Sequence, residues 1–160
     1  MKELSSDRLR DQISAMGDRC FALQARKTAN LLARLYSAVL EPVGLEISQF
    51  STLAAVALER SDSITELAGA LGVERSTLTR NLKVLERDGL IVLSERHGRR
   101  SMYRLTSKGR RMLSKALPLW NDVQARLATA LSNSSAPELD PHKSLRLLRR
   151  AARTAGPGAG

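Results

Sequence analysis

The stretch from Thr65 to Asp88, TELAGALGVERSTLTRNLKVLERD, constrains this chain more than any other. It reads as two short helices joined by a tight turn. Thr65 is a candidate N-cap, and Glu66 suits the first turn because a carboxylate there meets the positive end of the helix dipole. Leu67, Ala68 and Leu71 form an apolar stripe, and Gly72 can take the left-handed conformation that ends a helix. A second helix is expected to begin near Glu74 and to stop before Gly89. At about 100° per residue, Leu78, Leu82 and Leu85 fall in one narrow sector of it. Ser76, Arg80, Lys83 and Arg87 fall opposite, with Thr77 and Thr79 on the flanks. One face suits a core and the other suits a polyanion. An ordinary surface helix with a solvated basic face has the same pattern, so the segments on either side have to decide.

Downstream, the hydrophobic period changes. Leu90-Ile91-Val92-Leu93 is a strand-like run, Ser94 to Arg100 (SERHGRR) is a polar turn centred on Gly98, and Met102, Tyr103 and Leu105 alternate toward Thr106. The expectation is a two-stranded hairpin with a basic tip, carrying Arg96, Arg99 and Arg100, directly after the amphipathic helix. Upstream, Asp18 to Leu40 contains no Pro or Gly. Phe21, Leu23, Leu31, Leu32, Leu35 and Val39 recur there at helical spacing, which predicts one long helix ending before Pro42. Residues before it are polar and either fray or extend that helix. Ser48 is the candidate N-cap of a further helix with Phe50, Leu53, Ala54, Ala57 and Leu58 as its stripe, and Ile64 is a candidate single strand bridge.

Beyond the hairpin, Thr106 or Ser107 should cap a helix whose stripe is Leu113, Ala116, Leu117, Trp120, Val123, Leu127 and Leu131, kinked but not ended at Pro118. Asn133 to Pro137 is a break, and Ser144 to Arg153 is a last amphipathic helix. The outer helical stripes are wider than a three-helix winged domain needs. A second copy covering them is the simplest remedy, so a twofold homodimer with the termini at the interface is expected. The fold class is mostly α with a small β-wing. The corresponding divisions are a polar N-terminal extension (1–17), an N-terminal dimerisation helix and connector (18–47), a winged helix-turn-helix domain (48–106), C-terminal dimerisation helices (107–154) and a disordered tail (155–160).

Composition narrows the function. The formal net charge of +10 over 160 residues favours a nucleic acid or another anionic partner. Aromatic residues make up 3% of the chain, too few for the stacking platforms of single-strand and RNA binders. The single cysteine, Cys20, permits no intramolecular disulfide and no cysteine-based zinc site, and no metal or cofactor is expected. The N-terminus lacks the apolar core of a signal peptide, and no stretch approaches the roughly eighteen apolar residues of a membrane span. The expected location is the cytoplasm, in association with the nucleoid.

The order GLEISQFSTLAAV, ITELAGALGVERSTLTRNLKVLERDGLI, GRRSMYRLTSKGRRML, PLWNDVQARL resembles the MarR (multiple antibiotic resistance regulator) family of winged helix-turn-helix repressors, over about residues 18 to 132. The resemblance implies dimeric binding to a pseudo-palindromic operator in double-stranded DNA. The helix beginning near Arg75 would enter the major groove and the hairpin tip near Arg99 the adjacent minor groove. Carried over, Ser76, Thr77, Thr79 and Arg80 are the groove-facing positions, while Lys83 and Arg87 meet phosphates. Many relatives have Asp-x-Arg at the tip. Here His97 and Arg99 stand at those positions, so the orienting carboxylate is lost unless Glu95 substitutes. His97 reads as a pH-sensitive element of the wing or as a solvated loop histidine.

The resemblance also implies release from the operator by a small aromatic or oxidant effector. The effector pocket would have Leu31, Arg34, Leu35 and Phe50 among its candidate lining residues, although all four also read as plain core. Cys20-Phe-Ala-Leu is similar to the peroxide-sensing context of the organic hydroperoxide resistance regulators. The supporting tyrosines are missing, since Gln24, Arg34 and Ile47 stand at the positions to compare and Tyr36 is the one tyrosine in this half. Cys20 is therefore either a redox sensor or a structural cysteine. Two other functions fit the composition. One is a non-specific architectural nucleoid protein, which would show a shallow specificity ratio. The other is an enzyme using Cys20 with His97 or His142, for which no carboxylate pair, metal spacing or phosphate loop is present.

Overall fold

The computed structural model describes residues 6–58, 63–97, 100–136 and 138–155, and the side chains of residues 18, 95–97 and 100–102 are outside that description. Among the described residues seven helices and one hairpin follow in order: α1 (Ser6–Arg19), α2 (Phe21–Leu40), α3 (Ile47–Ala57), α4 (Ile64–Leu71), α5 (Arg75–Arg87), β1 (Ile91–His97), β2 (Arg100–Leu105), α6 (Ser107–Ser132) and α7 (Pro141–Thr154), with a 3-10 turn at Glu41–Val43. The chain divides into two compact units, Met1–Asn121 and Asp122–Gly160. Among the described residues no helix is long and apolar enough to cross a membrane.

In the first unit the core gathers around α3. Phe50, Leu53 and Val56 of α3 cluster with Leu67 and Ala68 of α4, with Leu78, Leu82 and Leu85 of α5, and with Leu90, Ile91, Leu40, Leu45 and Ala116. The three α5 leucines are 0–1% exposed, so the expected oil face is the buried one. Each contributes about 1.5–3 kcal/mol of apolar burial. That burial fixes the rotation of α5 about its own axis. Phe50 stacks on Trp120 with ring centroids 6.3 Å apart. Thr52, the one buried polar side chain among the described residues, donates to the Ser48 carbonyl at 2.8 Å and so carries no unpaired group into the core.

Several element boundaries differ from the sequence expectation. The long first helix is divided at Cys20, which has extended backbone angles, φ −77° and ψ 105°, and the polar N-terminal segment is itself helical. The break is stabilised by Gln24, whose Nε2 donates to the otherwise open Gly17 carbonyl at 2.7 Å. Ser63 rather than Thr65 caps α4, accepting from the Glu66 amide at 3.2 Å, and Ile64 is the first residue of that helix rather than a strand bridge. Glu46 rather than Ser48 occupies the N-cap of α3, where the Gln49 side chain reaches back to accept from the Glu46 amide at 3.0 Å.

The hairpin strands are longer than the sequence suggests, because pairing continues through the polar segment to His97 opposite Arg100, with a bulge between Leu93 and Glu95. The last helix begins at Pro141, capped by Asp140, and not at Ser144. Helix α6 runs through Pro118 as one helix. The divisions of the chain into DNA-binding and dimerising parts remain a proposal.

Candidate nucleic-acid interface

The pair α4–α5 is held by backbone chemistry at both ends. Gly72, at φ 66°, closes α4 with Val73 N donating to Ala68 O at 3.0 Å and Gly72 N to Gly69 O at 3.2 Å. This is a Schellman closure, and it needs the left-handed conformation that glycine adopts without strain. Three residues later α5 begins. Its own C-terminus repeats the device: Gly89 has φ 69°, Leu90 N reaches Leu85 O at 2.8 Å and Gly89 N reaches Glu86 O at 2.9 Å. The tight turn and the fixed stop define how much of α5 projects.

What projects is the face opposite the three leucines. Ser76, Arg80, Lys83 and Arg87 share that face and are exposed; Thr77, exposed, and Thr79, half-buried, flank it, while Arg75 is exposed at the first turn outside that sector. They are not equivalent. Thr79 donates its hydroxyl proton to the Arg75 carbonyl at 2.8 Å, which leaves it an acceptor and a methyl group to offer. Arg87 Nε is paired with Asp88 Oδ1 at 3.0 Å, with both side chains well exposed, so the pair adds little stability but partly occupies the guanidinium. Arg75, Arg80 and Lys83 have no ion-pair partner among the described residues. The Glu74 side chain makes no capping hydrogen bond, so the first amides of α5, beside the exposed Arg75 and Ser76, are left without it.

The C-terminal end of α5 is tied to the start of α6. Thr106 Oγ1 donates to the Gly89 carbonyl at 2.7 Å and accepts from the Gly109 amide at 3.0 Å, while Thr106 N donates to Leu90 O at 3.0 Å. Lys108 Nζ donates to the Asp88 carbonyl at 2.8 Å. At Gly109, α6 lies so close to Leu90 that a Cβ would collide with the Leu90 carbonyl oxygen and stand 2.9 Å from its carbon. Thr106 takes the capping role expected of it by accepting from the Gly109 amide, and its family-like spacing to Gly109 is visible in the sequence, whereas its tie to Gly89 and the close approach of Gly109 to Leu90 are not. The wing is therefore anchored at its base by β1–β2 pairing from Ile91–Leu105 outward and by this junction.

Of the wing residues, Arg99 lies outside the described residues. Arg96 and Arg100 are placed in the strands, opposite Ser101 and His97, with side chains outside the description, as are those of Glu95 and His97. The four candidate pocket residues do not share one environment. Phe50 is core against Trp120, Leu35 is half-buried, and Leu31 and Arg34 are exposed on α2, Leu31 at 60%. Cys20 is a partly exposed free thiol at the α1–α2 break. Tyr36 lies sixteen residues along α2, about 24 Å at 1.5 Å per residue, and so cannot support the Cys20 thiolate of the same subunit. Burial raises the Tyr36 phenol above its ordinary value. His142 is exposed on α7, and among the described residues no group of three metal-ligating side chains occurs.

A helix-turn-helix with a basic exposed second helix, followed by a two-stranded wing, defines a winged helix-turn-helix protein. A family model described as "MarR family" matches residues 43–101, from the 3-10 turn through the wing. The solved structure of the M. tuberculosis transcriptional regulator MosR is 38% identical, with a TM-score of 0.75 over 87% of this chain and 99% of that one. MosR in complex with DNA is also 38% identical, with a TM-score of 0.70 over 85% of this chain and 96% of that one. The transcriptional repressor CouR is 26% identical, with a TM-score of 0.61 over 88% of this chain and 95% of that one. No curated protein sequence matches the chain. The chain belongs to the MarR family of transcriptional regulators.

Proposed function

We propose that this chain is a homodimeric, cytoplasmic repressor that binds a pseudo-palindromic operator in double-stranded DNA through α5 and the wing, and is released by a small aromatic or oxidant effector. It carries out no chemical turnover. The observation that carries the reading is the division of α5, with Leu78, Leu82 and Leu85 sealed in the core, Ser76, Arg80 and Lys83 exposed on the other side, and Thr77 exposed on its flank. That MosR, at 38% identity, is seen with DNA supports it.

Within this reading Arg80 is the principal base reader, because its free guanidinium can grip a guanine edge with two parallel hydrogen bonds. Ser76 and Thr77 reach base edges or phosphates. Thr79, with its proton committed, accepts from a base amino group or packs its methyl on a thymine. Arg75, the first amides of α5 beside it, Lys83 and Arg87 hold the phosphate backbone. Arg96, Arg99 and Arg100 belong to the minor-groove wing. Half-sites about 10 base pairs apart, or a multiple of that, follow from dimeric helix-turn-helix docking.

Arg80→Ala tests the assignment. A gel-shift titration against operator and scrambled duplex should show operator affinity falling by about 1–3 kcal/mol with preference largely lost, and thermal stability unchanged. Unaltered preference in the variant would remove Arg80 from the interface.

A further inference from the structure

Helix α7 carries half of the chain's excess charge. It holds Lys143, Arg146, Arg149, Arg150 and Arg153 with no Asp or Glu, a contribution of +5 to the net +10. At 100° per residue these five cations occupy one sector of about 120°, and Leu145, Leu148 and Ala152 occupy the opposite one. All five are exposed, and none forms a salt bridge among the described residues. They line one shallow surface groove together with Leu147. An aligned row of like charges costs helix stability, since like pairs at i,i+3 and i,i+4 repel. The helix nevertheless begins on a proline and a well-formed Asp140 cap that accepts from the Lys143 amide at 2.9 Å. The Asp140 carboxylate faces Arg146 electrostatically, and the other four cations form no salt bridge among the described residues.

We propose that the cationic face of α7 is a second DNA-binding surface, which takes the phosphodiester backbone of duplex DNA without reading bases. The inference rests on the DNA-binding reading above, adds a site outside α5 and the wing, and leaves the Leu145, Leu148 and Ala152 side of α7 for the dimer contact expected from the sequence. Four of the five cations are arginines, whose planar fork matches phosphate oxygens in pairs. From Lys143 to Arg153 they extend about 15 Å along the helix axis. A duplex presents roughly one phosphate charge per 1.7 Å of its own axis, so several phosphates lie within reach of the row. A lipid surface fits less well. Helices that lie on membranes anchor an apolar face with Trp or Phe beside Leu, whereas α7 offers Leu145, Leu147 and Leu148 with two alanines and no aromatic.

The test uses the full chain with K143Q, R146Q, R149Q, R150Q and R153Q combined, beside a variant in which only the four arginines become lysine. Binding to a random-sequence duplex is followed by fluorescence anisotropy over a salt series. The glutamine variant should bind about tenfold or more weakly at low salt. The slope of log K against log salt should become shallower by roughly 0.9 for each phosphate no longer neutralised, about 2 or more in total. The lysine variant should keep the wild-type slope. An unchanged slope in the glutamine variant overturns the proposal, as does equal loss in the glutamine and lysine variants. Tighter binding to phosphatidylglycerol vesicles than to duplex at equal phosphate concentration also overturns it. Arg80→Ala, titrated against operator and random duplex, separates the two ideas: lost operator preference supports α5 as the reader, and retained preference removes that reading while the slope change of the glutamine variant still decides for or against α7.

Discussion

A methyl group at position 109 has no room, because the Leu90 carbonyl already fills the space it would take. Gly109→Ala should therefore destabilise the protein by about 1–3 kcal/mol, measured as a lower denaturation midpoint, and should loosen the seat of α5 as well. Gly69 is the control. It sits inside α4, and a Cβ added there would meet nothing within 4 Å, so Gly69→Ala should stabilise by about 0.5–1 kcal/mol in the same melt. Both positions are plain glycines in a sequence, and only the second can be judged from helical context. Leu78, Leu82 and Leu85 are legible in the sequence because the α5 period is local. The tie of Thr106 to Gly89 and Leu90 is not, since they stand seventeen and sixteen residues earlier. A side chain that serves tertiary contacts leaves no periodic trace.

Elements are easier to read than their ends. The helix pair, the hairpin and the final amphipathic helix are all visible as changes of period. Their starts depend on which of several neighbouring polar residues takes the N-cap. Ser63 wins over Thr65 because the apolar Ile64 joins the first turn of α4 and packs against the core, and the cap moves upstream with it. The α1–α2 break escapes detection because no Gly or Pro marks Cys20. The hydrogen bond that completes it comes from Gln24, seven residues after the carbonyl it serves.

Helix α7 allows a pH test at this scale. The Lys143 amide, above all, holds the Asp140 carboxyl below the ordinary aspartate value. A folded value below the unfolded one means that the cap stabilises α7 above the unfolded value and is lost as pH falls through the folded one. Helical signal from α7 should thus decline below about pH 4. Asp140→Asn, which caps without ionising, should remove that dependence. Amide exchange at Lys143 across an acid titration is the measurement.

For the molecule as a whole, the described chain exposes apolar side chains that no soluble monomer needs. Leu9, Ile13 and Met16 of α1 and Phe21 and Leu31 of α2 are 46–77% exposed. We expect them to be covered by a second copy. Sedimentation should report a dimer, and Phe21→Glu with Leu31→Glu should shift it to monomer and weaken operator binding at least tenfold, because one half-site then binds alone. A monomeric wild type would dissociate the apolar faces from function. Phe21 and Leu31 belong to the stripe that motivates the dimer in the sequence, the α1 side chains lie in the segment read there as polar, and the exposure of all five in the single chain supports a covering partner. The effector site is not legible in the same way, since Phe50 and Leu31, which share helical spacing with the core, end in opposite environments.

The junction of Thr106 with Gly89 and Leu90 makes the wing a replaceable part. Both strands leave from one fixed knot, and pairing then runs outward from Ile91–Leu105. Whatever is added at the far end cannot be felt by α5 or α6 through the backbone. Two residues inserted at the tip, one for each strand, should preserve the pairing and leave the melting temperature within a few degrees. A single insertion would turn alternate side chains to the other face. Reach into DNA could thus change by evolutionary steps of two residues without disturbing the helix that reads it.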